Sequence, residues 1–454
     1  MSSVGQNSRE RGGTGRSRRD HHAHSSREGG GDHERPLKRE EKIELAQLAL
    51  PTFALALAIT IVSTQLGEVA RSYTHQTILI GAIVGGEGVM ALWVPLLFGS
   101  WSDVLRTRIG GRLPFVLAGG IPAAVVLALI GFLHGLGLVA LVTALFFFFY
   151  FIAYEPYRAM YPDMLPSAQV GGRSQSAQAV ARGVGTGFAL LGGGLLLSVA
   201  RPLPFVVASV LMVTAIVAFV WLIIRRGAPE QDQANAENPV QVARKLPRLI
   251  KEHPALRAYF WANAMWETAL SALKAFIILY LTLGLRYSLS TSSLIVGGVA
   301  LIILVGAGGS GKLADRFGRV RVVSIAVLMY GAGYLVPIFT TSRPALGVAI
   351  PFIALGGGTV MTMAYALLMP LMPGDEHGAL TGFYSVSRGV GVILGPVIAG
   401  ALIWISRGSL FRATHGFQAM WIVCSASSFL SLLFLWRLSK SSEHSRTRAA
   451  RAGG

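Results

Sequence analysis

Twelve apolar stretches, each about as long as a helix needs to cross a bilayer, dominate this sequence. Hydrophobic residues make up 52% of its 454 residues and charged residues only 14%, against about 25% charged residues in a typical soluble domain. The stretches lie near 44–69, 77–98, 113–133, 136–155, 176–200, 203–224, 255–284, 289–310, 322–341, 345–369, 378–406 and 413–436. This pattern excludes a soluble globular fold and predicts an all-α membrane protein with twelve transmembrane helices.

The distribution of Lys and Arg predicts how these helices are oriented. If the N-terminus is cytoplasmic, the cytoplasmic tails and loops hold 30 Lys or Arg and the outer loops hold six. This bias predicts that both termini are cytoplasmic in the cell (plasma or inner) membrane, because basic residues are retained on that side. The net charge of +18 is then a topology signal first and an attraction to anionic lipid headgroups second. We therefore expect no binding of nucleic acid.

The polar segments divide the chain into five parts. Residues 1–43 carry ten Lys or Arg, seven Asp or Glu and four His, with too few apolar residues to fold. We predict a disordered cytoplasmic tail at 1–43, a six-helix bundle at 44–224, a cytoplasmic linker at 225–254, a second six-helix bundle at 255–436 and a cytoplasmic tail at 437–454. The histidines of the first tail, His21, His22, His24 and His33, are expected to be solvated, so no metal site is predicted there.

An internal repeat relates the two predicted bundles. Gly99-x-x-x-Asp103 matches Gly311-x-x-x-Asp315 at a displacement of 212 residues, and Arg182-Gly-Val-Gly matches Arg388-Gly-Val-Gly at 206. Repeats of this kind are typical of transporters whose two pseudo-symmetric halves face each other across a site near the membrane midplane. The sequence therefore predicts two similar six-helix bundles around a central cavity.

The loop after the eighth stretch carries the most specific motif. Residues 311–321 read G-K-L-A-D-R-F-G-R-V-R, in which Gly311 and Gly318 permit a tight turn, and Arg316 and Arg319 can pair with carboxylates. This motif resembles the loop signature of the major facilitator superfamily nearly letter for letter. The resemblance implies the major facilitator fold and transport by alternating access of one site to the two sides of the membrane.

The first copy of this loop resembles a narrower branch of that superfamily. Residues 99–115 contain Ser-Asp103, then Arg108-x-Gly110, then Arg112-x-Pro-Phe, and residues 156–163 contain Arg158 followed by Asp163. These letters are similar to those of the sucrose/proton symporter and the glycoside-pentoside-hexuronide-like sugar porters. The resemblance implies proton-coupled symport of a sugar or glycoside.

A drug exporter remains the alternative. Gly391-x-x-x-Gly395-Pro396 resembles the helix motif of drug/proton antiporters, but it lies in the eleventh predicted helix and not in the fifth. This position weakens the prediction of a proton-coupled exporter of drugs or other amphiphiles without excluding it.

Charged residues inside the predicted helices are the strongest candidates for a functional site. A charge at the bilayer centre costs at least about 2.5 to 3.5 kcal/mol, so it persists only in a pair or a polar cavity. The candidates for substrate binding or proton coupling are Glu68, Glu87, Glu267 and Lys274, the threonines Thr60 and Thr64 that form a polar stripe with Glu68, and Trp266, which can stack on a sugar ring. Glu87 or Glu267 is expected either to carry a proton or to bridge helices.

Two cross-pairs are expected to latch the halves at the cytoplasmic side. In this hypothesis Asp103 docks at the start of helix 11 near Arg388, and Asp315 docks at the start of helix 5 near Arg182, because a helix N-terminus and a guanidinium both attract an anion. The alternative is that Arg182 and Arg388 extend toward the membrane interface.

Other classes of function are disfavoured by the sequence. Gly306 to Lys312 satisfies two phosphate-loop patterns, but an apolar span precedes it and Leu313 follows where Ser or Thr is needed. No nucleophile-base set or metal-ligand spacing is present, so we predict no enzyme activity and no cofactor. A receptor built on a transporter scaffold would lack titratable groups in its cavity. We expect a monomer whose partners are a small solute, protons and the lipid bilayer.

Overall fold

The computed structural model of the chain describes residues 39–163, 168–226, 239–372 and 380–452. The first half contains α1 (Arg39–Arg71), α2 (Thr77–Val104), α3 (Leu113–Ile130), α4 (Leu136–Asp163), α5 (Ala168–Val199) and α6 (Leu203–Arg226). A short helix, α7 (Pro239–Glu252), follows. The second half contains α8 (Pro254–Leu279), α9 (Leu289–Phe317), α10 (Arg319–Phe339), α11 (Arg343–Leu368), α12 (Leu380–Ser406) and α13 (Ala419–Ala452). The predicted tail at 1–43, with its histidines, lies outside the described residues up to position 38.

Twelve of the described helices, all except α7, are long and apolar enough to cross a membrane, with mean hydropathies between 1.4 and 2.8. Six of them precede α7 and six follow it. This arrangement confirms the predicted class, an all-α membrane protein with two bundles of six helices. Successive spans alternate in direction, so we call the end at which α6 and α8 are connected the linker end, and the opposite end the distal end.

Helix ends in the linker region and at the C-terminus differ from the sequence-based boundaries. The linker predicted at 225–254 contains α7, an amphipathic helix whose Leu246 and Leu249 are buried while Arg248 is exposed. Helix α13 runs to Ala452 and so continues through the tail predicted from 437. Both segments are rich in polar residues, and a count of apolar residues alone does not reveal such helices.

The two halves pack against each other mainly through α2 with α12 and α5 with α9. On α2, a Cβ added at Gly81 would overlap the backbone of Pro396, and one added at Gly88 would lie 2.6 Å from the carbonyl oxygen of Gly389. At the distal end, the Thr77 hydroxyl donates a hydrogen bond of 2.7 Å to the carbonyl oxygen of Gly400. Small residues permit this close approach of two backbones, as is usual between membrane helices.

Two loop glycines adopt backbone conformations that other residues rarely take. Gly110, between α2 and α3, has φ +92°, and Gly318, between α9 and α10, has φ +87°. Only glycine enters this region without a steric penalty, so Gly318 turns the chain as its motif predicted. Gly311 does not take part in that turn, because α9 continues through it to Phe317.

Candidate functional site: a buried charge cluster

Three helices bring two carboxylates and one guanidinium together in the membrane-spanning region. An Arg388 Nη2 on α12 lies 3.1 Å from Glu87 Oε1 on α2, and its Nε lies 3.7 Å from Glu267 Oε1 on α8. Helix α12 reaches both neighbours because it carries glycines at its contacts. Gly389 packs on the backbone of α2, and Gly391 packs on the backbone of α8.

Each member of the cluster offsets the cost of burying the others. The Glu87 side chain is 8% exposed and the Glu267 side chain 15% exposed, so neither is well hydrated. The planar guanidinium of Arg388 presents donors on two sides, which allows it to face both carboxylates. Ser63 on α1 donates a further hydrogen bond of 2.9 Å to Glu87 Oε2. The cluster therefore connects helices from both halves through charged hydrogen bonds.

The cluster forms one wall of a narrow cleft with a cavity volume of about 10 Å³. This volume holds about one water molecule and is far below the range of about 300 to 1,000 Å³ that is usual for ligand pockets, so binding of a solute requires the helices around the cleft to separate. The cleft is lined by Ser63, Val84, Glu87, Glu267, Ser271, Lys274, Arg388, Val392 and Pro396. Among these residues, two are anionic and two are cationic, so their formal charges cancel.

Lys274 is the second cation of the cleft. It lies on the same face of α8 as Glu267, two turns away and about 10 Å along the helix axis at 1.5 Å per residue. In the part of the chain that the structure describes, Lys274 makes no hydrogen bond or ion pair. Its ammonium group is therefore available to a bound molecule.

The polar stripe predicted on α1 is present but does not line this cleft. Thr60 and Thr64 are buried, and Thr64 donates its hydroxyl to the Thr60 carbonyl oxygen at 2.7 Å. Glu68 is half-buried near the distal end, and its Oε2 is buried without a hydrogen-bond partner among the described residues.

Trp266 occupies a different position from the one expected. Its indole Nε1 donates a hydrogen bond of 2.9 Å to Ser431 Oγ on α13, and its side chain is buried. It is not among the residues that line the cleft. The structure therefore places Trp266 in the packing between α8 and α13, contrary to the expectation that it faces a solute, because consecutive residues of a helix point in different directions.

A loop arginine donates an equivalent hydrogen bond in each half. An Arg112 Nη1 donates to the carbonyl oxygen of Ala159 at 2.7 Å, and an Arg319 Nη1 donates to that of Ala366 at 3.0 Å. In both halves donor and acceptor are 47 residues apart in the chain. The predicted repeat is therefore visible as an equivalent contact, which attaches each loop to the fourth span of its own half.

Arg158 lies at the linker end of α4 and faces the second half. Its guanidinium carbon lies 5.7 Å from the centre of the Tyr365 ring on α11, and its Nη1 lies 3.9 Å from Glu155 Oε2. Arg108, Arg182 and Arg316 are exposed. Gly99 lies within α2, and the side chains of Asp103 and Asp163 lie outside the described part of the chain.

Of the two predicted latch pairs, the pair of Asp103 with Arg388 involves an Asp103 side chain outside the described part of the chain, and the pair of Asp315 with Arg182 is not formed in this conformation. Arg388 lies about two turns from the start of α12 and pairs with Glu87 and Glu267. It therefore belongs to the buried cluster and not to the loop. Asp315 is exposed in the last turn of α9 and makes no ion pair with Arg182 in the described part of the chain. The predicted stretch at 378–406 begins within two residues of α12, so the hypothesis erred in treating Arg388 as a residue of the helix end and not of the helix interior.

The fold and the cluster together define a multi-pass membrane protein with the major facilitator fold. Over 89% of its length the chain resembles a crystallised bacterial homologue of the human lysosomal transporter Spinster, in an inward-facing and occupied conformation. The TM-score is 0.71, the sequence identity is 13%, and 98% of that chain is covered. Residues 268–454 match the family model of the Major Facilitator Superfamily, which supports this family.

Two curated relatives match parts of the chain. The uncharacterized MFS-type transporter YfiU of Bacillus subtilis is 30% identical over 93 residues, which are 20% of this chain and 18% of that protein. The probable 4-methylmuconolactone transporter of Cupriavidus pinatubonensis is 28% identical over 204 residues, 44% of this chain and 46% of that protein. The chain thus matches less than half the length of either relative.

Proposed function

We propose that this protein is a secondary active transporter that moves a small polar solute together with protons by alternating access. The observation that carries this proposal is the cluster of Glu87, Arg388 and Glu267, which joins the two halves beside a cleft. Intramembrane ionisable groups at such positions are typical of proton and substrate pathways.

The cluster suggests how proton binding can be coupled to movement of the halves. Glu87 lies in the first half, whereas Arg388 and Glu267 lie in the second half. Separating an ionised Glu87 from Arg388 would leave two uncompensated charges in a poorly hydrated region, which is strongly unfavourable. A proton on the carboxylate, or a charged group of the solute in its place, reduces this cost. Rearrangement of the halves then depends on what occupies the cluster.

The proposed solute is a sugar or glycoside, and the proposed direction is import. This part of the proposal rests on the resemblance of residues 99–115 and of Arg158 with Asp163 to the sugar-porter branch. The linker end, which carries most of the Lys and Arg, is proposed to be cytoplasmic, and the protein is proposed to act as a monomer.

Reconstitution tests this function. The purified protein in liposomes is expected to accumulate labelled sucrose when the outside is more acidic, and to equilibrate it without accumulation when the pH gradient is collapsed by an ionophore. Protein-free liposomes provide the background. Failure of a panel of sugars, together with proton-dependent efflux of a lipophilic cation, would replace this proposal with the exporter alternative.

A further inference from the structure

The ammonium group of Lys274 is the one charge of the cleft that has no direct partner among the described residues. Arg388 lies within 4 Å of both carboxylates, whereas Lys274 makes no ion pair. Lys274 nevertheless lines the same cleft as Glu87 and Glu267. Its charge is therefore balanced only at a distance, by whichever carboxylate charge Arg388 does not neutralise.

Protonation of either glutamate changes this balance. With both carboxylates ionised, the four charged residues of the cleft cancel. With one carboxylate protonated, Arg388 still pairs with the other, and the charge of Lys274 is left over. A net charge inside a membrane protein is costly, so the protonated cleft attracts one anion.

We propose that Lys274 binds a carboxylate of the transported solute, and that the solute, a hydroxylated monocarboxylate, crosses together with one proton. The inference rests on the proposed transport by alternating access and replaces the neutral sugar of that proposal with a hydroxylated acid as the solute. Ser63 and Ser271 also line the cleft, and their hydroxyl oxygens, whose own protons are donated to Glu87 and to the Gly391 carbonyl oxygen, can accept hydrogen bonds from hydroxyl groups of the solute. Because the solute anion compensates the bound proton, the loaded and the empty cleft are both electrically neutral.

Charge balance distinguishes a monocarboxylate from solutes of related chemistry. An uncharged sugar moving with one proton would leave one positive charge in the loaded cleft. A phosphate monoester carries about −1.5 to −2 charges near neutral pH and would leave the cleft negative. Only a single negative charge restores the balance of the empty cleft.

The remaining ionisable neighbours do not alter this balance. The ionisable side chains that interact with the two carboxylates from the packed helices are Tyr150 on α4, Tyr259 and Lys274 on α8, Tyr330 on α10, and Arg388 and Tyr384 on α12. Tyrosine is uncharged at neutral pH. The charge of the cleft is thus set by two glutamates, Arg388 and Lys274.

Binding of small acids and alcohols to the detergent-purified protein tests whether a carboxylate on the solute is recognised. Two matched pairs of probes differ mainly in that group, gluconate with sorbitol and lactate with propane-1,2-diol. At least one acid is expected to bind more tightly than its alcohol and to cause proton uptake from a weakly buffered solution near neutral pH. The inference is overturned if neither acid binds more tightly than its alcohol, or if glucose 6-phosphate binds more tightly than both acids.

Variants of Lys274 test whether the charge of this side chain binds the carboxylate of the solute. Lys274→Gln is expected to weaken binding of the acid by about 10- to 100-fold, the range for losing a charge-assisted hydrogen bond, and to leave binding of the alcohol unchanged. Lys274→Arg is expected to retain most of the binding because it retains the charge. Lys251→Gln, on the exposed face of α7, is the control. Equal binding of the acid by Lys274→Gln and the parent protein overturns the assignment.

Transport in liposomes separates this inference from the general function. Uptake of the labelled acid under a pH gradient is expected to be insensitive to a membrane potential set with potassium and valinomycin. Accumulation of labelled sucrose without binding of either acid would contradict the anion site and leave the transport function standing. Binding of an acid without accumulation of any solute would contradict the transport function and leave the anion site standing.

Discussion

At the scale of the residue, Arg388 is the centre of the charge cluster. It faces Glu87 at 3.1 Å and Glu267 at 3.7 Å. Because it neutralises charges that water does not reach well, Arg388→Gln is expected to lower the free energy of unfolding by about 3 to 5 kcal/mol, the usual cost of breaking a buried ion pair. Thermal unfolding in detergent measures this change, with Arg248→Gln on the exposed face of α7 as the control.

A second substitution by glutamine in the cluster distinguishes whether Arg388 stabilises the protein through its charge or through its packing. If repulsion between the carboxylates causes the loss of stability, Arg388→Gln combined with Glu87→Gln is expected to be more stable than Arg388→Gln alone. A double variant that is less stable than the single one would show that Arg388 acts through packing.

The two glutamates are expected to differ from other acidic residues in proton coupling. Glu87→Gln and Glu267→Gln each keep the shape of the side chain and remove its titration. At least one is expected to abolish accumulation driven by a pH gradient while solute exchange at equal pH continues. Glu252→Gln, half-exposed on α7, is the control. Full accumulation by both cluster variants would mean that neither glutamate couples protons.

The sequence identified part of this site and misplaced another part. The sequence pointed to Glu87, Glu267 and Lys274 because a charge in an apolar segment is costly unless it is paired or lies in a polar cavity. The partner of the glutamates was missed, since Arg388 lies 301 residues from Glu87 in the chain and only the packing of α12 brings them together. Trp266 was misassigned because the direction of a side chain around a helix depends on its neighbours.

At the scale of the element, the contact of α2 with α12 depends on glycines. Gly81 lies so close to the backbone of Pro396 that a Cβ cannot fit without movement, whereas a Cβ at Gly86 meets nothing within 4 Å. Gly81→Ala is therefore expected to destabilise the protein by about 1 to 3 kcal/mol through overpacking. Gly86→Ala on the same helix is the matched control, and is expected to be neutral or stabilising, since alanine favours a helix by about 1 kcal/mol. Unfolding midpoints of both variants in one detergent provide the measurement.

Helix positions were predictable from the sequence to within a few residues over most of the chain. The predicted second stretch at 77–98 corresponds to a span at Thr77–Gly99, and the sixth at 203–224 to Leu203–Arg225. Hydrophobicity determines these positions because the bilayer requires a fixed apolar length. The polar helix α7 and the end of α13 were not predicted, because apolar length identifies only the segments that cross a membrane.

At the scale of the whole molecule, the halves must change their contacts if transport is by alternating access. The distal contact of Ser198 with Ser290, whose hydroxyl oxygens lie 3.1 Å apart, joins α5 to α9 across the two halves. Ser198→Cys with Ser290→Cys is expected to form a disulfide on oxidation, to block uptake by at least about tenfold, and to recover on reduction. The only native cysteine, Cys424, is buried, and each single variant is a control. Undiminished uptake by the oxidised pair would show that this contact does not separate during the cycle.

The matching hydrogen bonds from Arg112 to Ala159 and from Arg319 to Ala366 also bear on the origin of the molecule. A bond that recurs at the same spacing in both halves is inherited more simply from one ancestor than acquired twice. The ancestral gene product would then have been a self-supporting six-span unit that worked as a pair of copies, and gene fusion would have joined them. After fusion the two copies were free to diverge, so that Arg388 kept a counterpart in Arg182 whereas the two glutamates of the cluster have none in the other half.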